Sequence, residues 1–270
     1  MVRSLWTAAS GMIAQQTNVD VISNNLANVN TNGYKKQTAE FKSLLYQNIQ
    51  DNTTDNNGDP KPISAQVGLG VRNAAVSSIY TQGALTSTGN DLDFAIEGDG
   101  FFTVQLPNGR TGYTRSGSFS IALVGDGYTI ATSDGYSLID TNGNPVVLGE
   151  EYPSDKLSID EQGRICFPDE GNNPQPIGIQ LQLVQFSNPG GLQRESNSIL
   201  TETIASGGPI QELDNPNVEK SDLRQGYLEA SNVQSIDEMV NLIVAQRAYE
   251  MNSKIITASD EMMQQANNLR

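Results

Sequence analysis

The chain has 270 residues, with 31 acidic and 16 basic side chains and a formal net charge of −15. This charge argues against nucleic-acid binding, which needs a basic surface facing phosphates, and it offers no polybasic support for binding anionic lipid. There is no histidine and one cysteine, Cys166. One chain therefore cannot build a Ser-His-Asp triad, a histidine-ligated metal site or an intrachain disulfide.

The opening residues, MVRSLWTAASGMIAQQ, do not resemble a secretory signal, because no continuous apolar region precedes Gln15. No run approaches the roughly 18 to 20 apolar residues of a membrane span. We expect a chain that stays in the cytosol or leaves it without a cleaved signal peptide, with no direct membrane insertion.

The N-terminal region predicts a helix at about residues 3–30. Two series recur every seven residues, offset by three, and all members except one glutamine are apolar: Leu5, Met12, Val19 and Leu26, then Ala8, Gln15, Ile22 and Val29. This spacing is typical of a helix that packs against another helix. Asn32-Gly33 follows, and both residue types favour the end of a helix or a turn.

The C-terminal region predicts a second long helix at about residues 232–267. Ser235-Ile236-Asp237-Glu238 matches a capping box, with Ser235 as the N-cap. Two series again recur every seven residues, one of large side chains and one of small or polar ones: Leu242, Tyr249, Ile256 and Met263, then Ala245, Asn252, Ser259 and Ala266.

The middle of the chain predicts β-structure. Short runs such as FFTVQL (101–106) and GYTIAT (127–132) are typical of strands. Asn-Gly or Asp-Gly pairs, which indicate hairpin turns, occur at 57–58, 99–100, 108–109, 126–127, 134–135 and 142–143.

The predicted fold is α+β: the long N- and C-terminal helices pair as a coiled coil, and a β-rich domain occupies the middle of the chain. We divide the chain into an N-terminal helix and turn (1–45), an extended linker (46–71), a β-rich outer domain (72–225) and a C-terminal helix (226–270). The two helical segments together form the inner domain.

Three patterns resemble chemical sites, but each has a simpler structural interpretation. Asp140 to Asn144 with Glu151 resembles a calcium loop, yet Pro145 stands where the loop needs glycine, so a hairpin turn is favoured. Gly68-Leu69-Gly70 only begins a phosphate-binding pattern. Cys166 lies in RICF without a histidine to activate it, which favours packing in a strand over a nucleophile. We expect no catalytic residue, no metal and no cofactor, and therefore no enzyme.

Three segments carry a resemblance to a known family. SNNLANVNTNGYKK (23–36), QGALTSTGNDLDFAIEGDGFFTV (82–104) and the segment at 226–269 that begins GYLEASNVQSIDEMVNLIVAQRAYE resemble shared segments of the bacterial flagellar axial proteins that build the rod and hook. Within this family, the opening residues and the total length are most similar to the distal rod member.

The resemblance implies a function and a set of partners. Such proteins are exported unfolded by the flagellar type III export apparatus, without a cleaved signal. They polymerise with their own copies into a helical tube, whose core is the terminal helices, and transmit motor torque to the hook. The implied partners are proximal rod and hook-side axial proteins and the rings around the rod, and the implied location is the basal-body rod in the cell envelope.

The expected subunit and coiled-coil interface follows the heptad series and three nearby amides. These amides, on Asn24, Asn25 and Asn28, lie beside the helical seam, where a neighbouring subunit could satisfy them without burying charge. The full predicted set is Leu5, Met12, Val19, Ile22, Asn24, Asn25, Leu26, Asn28, Leu242, Tyr249, Ile256 and Met263.

Two alternatives remain open at this point. Another flagellar axial subunit, from the hook or the proximal rod, would share the same helical segments. From a different class, a secreted β-rich cell-wall hydrolase or a carbohydrate-binding module would also suit the composition, since a carboxylate pair can act without histidine.

Overall fold

One long helix precedes the β-rich part of the chain and a second long helix follows it, as the sequence predicts. Our computed structural model describes residues 2–50, 65–124, 127–149, 152, 156–169, 173–195, 198–213, 215–216 and 218–268. Helix α1 spans Val2–Ala27 and helix α2 spans Ser235–Asn268, with Asp237 and Glu238 in its first turn. The α+β class is therefore confirmed.

The strands between the helices are short. In chain order, the described residues form β1 to β21 at Gln37–Ser43, Tyr46–Gln50, Ala65–Gly68, Val71–Ser78, Leu85–Ser87, Phe94–Glu97, Phe101–Gln105, Thr111–Thr114, Phe119–Val124, Gly127–Thr132, Ser137–Leu138, Val147–Gly149, Ser158–Ile159, Arg164–Pro168, Pro174–Gln180, Leu183–Gln185, Gln193–Arg194, Ile199–Thr201, Ile210–Gln211, Asp222–Gln225 and Tyr227–Glu229.

The chain forms two units. The first comprises Met1–Ala27, Gln37–Ser78 and Gln234–Arg270, and the second comprises Asn28–Lys36 and Ile79–Val233. The first unit thus contains both helices and β1 to β4, while the second contains β5 to β21. The fourfold division given above, at residues 46, 72 and 226, stays a prediction.

In the first unit, α1 and α2 run antiparallel and meet through small and polar side chains. Ser4 Oγ lies 3.4 Å from Ser259 Oγ, and Asn25 Nδ2 donates to Glu238 Oε2 over 3.1 Å. Between these two contacts, a Cβ atom added to Gly11 would lie 3.0 Å from Asn252 Nδ2. Steps of seven or fourteen residues along α1 match equal steps backwards along α2, so one heptad-spaced stripe on each helix faces the other.

Two antiparallel strand pairs complete the first unit. β1 pairs with β4, and β2 pairs with β3. Helix α1 contacts β1 and β4, and the Val71 amide donates to Ser10 Oγ over 3.3 Å. Gly70, with φ of +114°, packs against the Ser10 side chain. Gly68 and Gly70 therefore belong to the passage from one strand to the next and not to a phosphate-binding loop before a helix.

The second unit is built on a ten-stranded antiparallel sheet. The strand order is β12-β10-β11-β7-β8-β18-β17, with β9 beside β10 and β16 joining β7 to β19. The same unit contains a separate three-stranded sheet (β13-β14-β15) and two separate strand pairs (β20 with β6, β21 with β5). Apolar side chains from these strands, with Leu181 between β15 and β16, form the main core, which includes Phe94, Ile96, Phe102, Val104, Phe119, Ile130, Leu148 and Ile165.

The predicted hairpin turns have mixed outcomes. The pairs at 108–109 and 134–135 join paired strands, β7 with β8 and β10 with β11. At 142–143 a turn closes between the bridged residues Ile139 and Pro145. At 99–100 the hairpin prediction is wrong, because β6 and β7 pair with other strands. The pair at 57–58 and residue 126 lie outside the described residues.

Gly33, in the turn after α1, offers a test of the close packing in the second unit. Gly33 has φ of +67°, and a Cβ atom there would lie 2.6 Å from the carbonyl carbon of Arg115. Gly109 has φ of +71° but open space around it. We expect Gly109→Ala to lower the free energy of unfolding by about 1 kcal/mol. Gly33→Ala should cost a further 1–3 kcal/mol or so, because the backbone must move. Urea unfolding of both variants measures this difference, and equal losses would contradict the packing argument.

Candidate subunit interface

A buried carboxylate links four segments of the second unit. Glu229, at the end of β21, is 1% exposed, and its partners Lys35 and Arg115 are 3% and 4% exposed. Lys35 Nζ lies 2.6 Å from Glu229 Oε1, and Arg115 Nη1 lies 3.3 Å from Oε2. The amide of Gly83 also donates to Oε1 over 2.8 Å. One carboxylate thus accepts from two cations and one backbone amide.

The two cations have further partners that offset the cost of their burial. Lys35 Nζ donates to the Thr81 carbonyl over 2.9 Å, and Arg115 Nη2 donates to the Gly98 carbonyl over 2.6 Å. The Arg115 guanidinium also lies 5.1 Å from the centre of the Phe101 ring. Burial lowers the pKa of Lys35 and of Arg115 below their ordinary values, and the charge of Glu229 opposes this shift in both.

Residues 33–36, which follow α1, are bonded to residues 229–232, which precede α2. The Gly33 amide donates to the Glu229 carbonyl over 2.8 Å, and the Lys36 amide donates to Asn232 Oδ1 over 2.7 Å. The Asn232 side chain also donates to the carbonyls of Ile79 and Thr81. These contacts join two ends of the second unit that are distant in sequence.

In the first unit, the Asn25 side chain connects three elements. Asn25 is 1% exposed. Its Nδ2 donates to the Gln37 carbonyl over 2.8 Å and to Glu238 Oε2 over 3.1 Å, while its Oδ1 accepts from the Gln37 amide over 2.9 Å. Asn25 therefore bonds to the first residue of β1 and to α2. The Asn25 side-chain amide therefore has its hydrogen-bond partners within its own chain, whereas the sequence analysis expected them on a neighbouring subunit.

The other two asparagines of the predicted interface differ from Asn25. Asn24 is exposed, and its Nδ2 donates to Gln37 Oε1 over 3.1 Å. Asn28 is half-buried in the turn after α1, where its Oδ1 accepts from Thr31 Oγ1 over 3.1 Å. A role for these amides between subunits stays a prediction.

The predicted apolar interface residues flank the contact between the helices. On α1, Ile22 is buried, and Leu5, Met12, Val19 and Leu26 are half-buried. On α2, Leu242, Ile256 and Met263 are half-buried, and Tyr249 is 43% exposed. Val19 and Tyr249 line the same open groove of about 390 Å³, together with Gln16, Gln246 and Glu250. The structure therefore brings Val19 and Tyr249 together, at a surface that one chain leaves partly open.

Several exposed apolar side chains were missed at the level of sequence. The start of α2 leaves five large residues at least 55% exposed: Ile236, Met239, Val240, Ile243 and Val244. On α1, Trp6 and Ile13 are 72% and 66% exposed. A second apolar series at 236, 240 and 243, on the face opposite Ala245, was the signal that could have revealed this surface.

Two further sequence patterns that resembled chemical sites, at Asp140 and at Cys166, have structural roles. The Asp140 carboxylate accepts hydrogen bonds from the backbone amides of Asn142 and Asn144, which stabilises the predicted turn. Cys166 is buried in β14, and burial raises the pKa of its thiol. Among the described residues, no cluster of three metal-binding side chains is present. Within the same residues, neither helix has the length and apolarity needed to cross a bilayer.

Comparison with known proteins first defines the class. Three family profiles match separate segments: the flagella basal body rod protein profile at residues 5–35, the flagellar hook protein FlgE/F/G D1 domain at 95–167, and the flagellar basal body rod FlgEFG protein C-terminal profile at 224–269. These are the profiles of rod and hook proteins, and they confirm the resemblance seen in the sequence.

Full-length relatives then narrow the class. The flagellar basal-body rod protein FlgG of Borreliella burgdorferi is 45% identical over 100% of this chain and 99% of its own length. FlgG of Caulobacter vibrioides is 42% identical over the whole of both chains, and the flagellar hook-basal body complex protein FlhP of Bacillus subtilis is 32% identical over the whole of both. The chain belongs to the flagellar basal-body rod protein family, which is a structural family and not a class of enzymes.

The buried Glu229 can be tested against an exposed ion pair of equal length. Glu229→Gln should lower the free energy of unfolding by about 3–5 kcal/mol, because two buried cations lose their counter-charge. The control is Glu97→Gln, since Glu97 Oε2 also lies 2.6 Å from its partner, Arg224 Nε, but the two side chains are 47% and 52% exposed. That change should cost no more than about 1 kcal/mol. Similar losses in chemical denaturation would show that burial of the pair is unimportant.

The two neighbouring asparagines allow a matched comparison in the first unit. Asn25→Ala removes a buried side chain and leaves the amide and carbonyl of half-buried Gln37 without their side-chain partner, so it should cost about 1–3 kcal/mol. Asn24→Ala removes an exposed contact and should change stability by less than about 0.5 kcal/mol. Hydrogen exchange at the Gln37 amide should accelerate only in Asn25→Ala. An unchanged exchange rate there would refute the role assigned to Asn25.

Proposed function

We propose that this protein is a structural subunit of the distal part of the flagellar rod. In this proposal, copies of the chain polymerise into a helical tube that transmits motor torque to the hook. The observation that carries it is the exposure of large apolar side chains on both terminal helices, including Trp6, Ile13, Ile236 and Val240. Exposed large apolar side chains aligned along both helices of a protein of this family are best explained as contact surfaces for further subunits.

The coiled-coil core of the tube is part of the same proposal. The antiparallel stripe of small residues lets α1 and α2 approach closely, and heptad spacing maintains that contact along the pair. The half-buried flanking residues, such as Val19, Leu26 and Tyr249, would then complete their burial against neighbouring copies. Each large apolar side chain that becomes buried contributes about 1.5–3 kcal/mol at most.

The proposed partners follow from this assembly. They are further copies of the chain, the proximal rod and hook-side axial proteins at the two ends of the polymer, and the ring proteins around it. Delivery to the growing tip would use the flagellar type III export apparatus, and the site of action would be the rod within the cell envelope. Membership of the rod protein family and the exposed apolar side chains on both helices support these assignments.

A position elsewhere in the axial structure is the main alternative, since one matching profile describes a hook protein domain and one relative is a hook-basal body complex protein. Labelling this protein in isolated basal bodies and locating the label by electron microscopy separates the possibilities. Label on the distal rod supports the proposal, and label confined to the hook or to the proximal rod contradicts it. The alternative of a cell-wall hydrolase is tested separately, since such an enzyme would release soluble fragments from purified peptidoglycan.

Assembly provides the central test. Val19→Asp together with Leu26→Asp should abolish rods, because charges would enter the flanking apolar surface, while the β-rich unit keeps its circular dichroism spectrum. Leu123→Asp together with Ile204→Asp is the control, since these two side chains, 88% and 105% exposed, lie in the β-rich unit. The control should still form rods. Normal rods in the variant that carries both Val19→Asp and Leu26→Asp would contradict the proposal.

A further inference from the structure

Helix α1 carries an exposed apolar stripe on the side away from α2. Gly11 marks the side that faces α2, since a Cβ atom there would contact Asn252. At 100° per residue, Trp6 and Ile13 project roughly opposite to Gly11. They are 72% and 66% exposed, and they lie seven residues apart on one line along the helix. Within its own described chain, α1 therefore leaves this stripe uncovered.

Helix α2 carries a matching stripe on the side away from α1. Ala245, 1% exposed, marks the side that packs within the chain. Ile236, Val240 and Ile243 project opposite to it and are 75%, 55% and 57% exposed. Arg247 continues the stripe with its side chain 73% exposed, and it bonds laterally to Glu250 over 3.0 Å. The stripe is thus apolar at the start of α2 and cationic two turns later.

We propose that the α1 stripe of one copy docks antiparallel on the α2 stripe of the next copy, with Ile13 opposite Val240 and Trp6 opposite Arg247. This inference rests on the proposed rod function. Copies in a polar filament share one orientation, and α1 and α2 are antiparallel within each copy. A contact between α1 of one copy and α2 of the next is therefore antiparallel as well.

The register follows from chemical complementarity. Trp6 and Ile13 are seven residues apart, as are Arg247 and Val240, so both pairs can form together. Ile13 would meet an apolar surface made by Val240 and its neighbours. Trp6 would meet a guanidinium group, and a cation over an indole ring is a favourable contact. Because the two stripes differ and lie on opposite sides of the helix pair, the contact is head-to-tail, and repeated head-to-tail contacts build either a ring or an open helical filament. The proposed rod requires the open filament.

Disulfide cross-linking tests the register in assembled rods. Cys166 is replaced by serine, and Ile13→Cys is combined with Val240→Cys. Mild oxidation should link successive copies, giving a ladder of multimers on a non-reducing gel. The control combines Ile13→Cys with Met262→Cys, since Met262 is also apolar and 51% exposed but lies about 33 Å further along α2. The control should give no ladder. An equal ladder in both, a dimer band alone, or no ladder from intact rods would overturn the docking.

A charge exchange provides a second test that needs no cysteine. Trp6→Lys should reduce pelletable rods roughly tenfold or more, because it places a cation against Arg247. Combining it with Arg247→Glu should restore them, whereas Arg247→Glu added to wild-type Trp6 removes the cation–indole contact and should not increase them. Lack of rescue by the combined variant contradicts the register. If the parent chain itself forms no polymer, the proposed function fails, whereas parent rods without rescue or ladder remove only this docking.

Discussion

The second unit depends on one buried carboxylate. Glu229 pairs with Lys35 and Arg115 and accepts from the Gly83 amide, so its removal would leave two buried cations without this counter-charge. A buried ion pair is not by itself a source of stability, because desolvation offsets much of the attraction. Its effect here is specificity of position: Lys35, Arg115 and the Gly83 amide reach one carboxylate together in this arrangement of the four segments.

That position matters because of where the chain enters and leaves the unit. Residues 33–36, which follow α1 after a short turn, are bonded to residues 229–232, which precede α2. The helices themselves are roughly 200 residues apart along the chain, so bringing them together unaided would close a long loop. With residues 33 and 229 already joined, the effective loop shrinks to about a dozen residues, which lowers the entropy cost of helix pairing by about 2–3 kcal/mol.

The sequence predicted the helices, the β-rich middle and the family, but not which side of each helix is covered. Heptad spacing specifies a stripe, and both helices carry a large series and a small series in adjacent positions. The structure buries Ala245 and Ser259, the latter beside Ser4 of α1, and leaves Ile236 and Val240 exposed. Apolarity alone favours the opposite choice. The ion-pair cluster of Lys35, Arg115 and Glu229 could not be predicted from the sequence either. Its members are separated by 80 or more residues, and no local pattern links them.

Asn25, near the end of α1, has a side chain whose donor and acceptor match those of the Gln37 backbone. The Gln37 backbone presents a donor and an acceptor to Asn25, and a carboxamide is the side-chain group that offers an acceptor and a donor in return. Aspartate at this position would lack the donor and would add a charge beside Glu238, while leucine would leave both Gln37 groups unsatisfied. Small and polar side chains, such as Ser4, Gly11 and Asn25, thus form contacts between the helices inside the chain. The large apolar side chains, which would stabilise a lone helix pair more strongly, remain available for contacts between subunits. In the proposed assembly, burial of these side chains against neighbouring copies would further stabilise both helices.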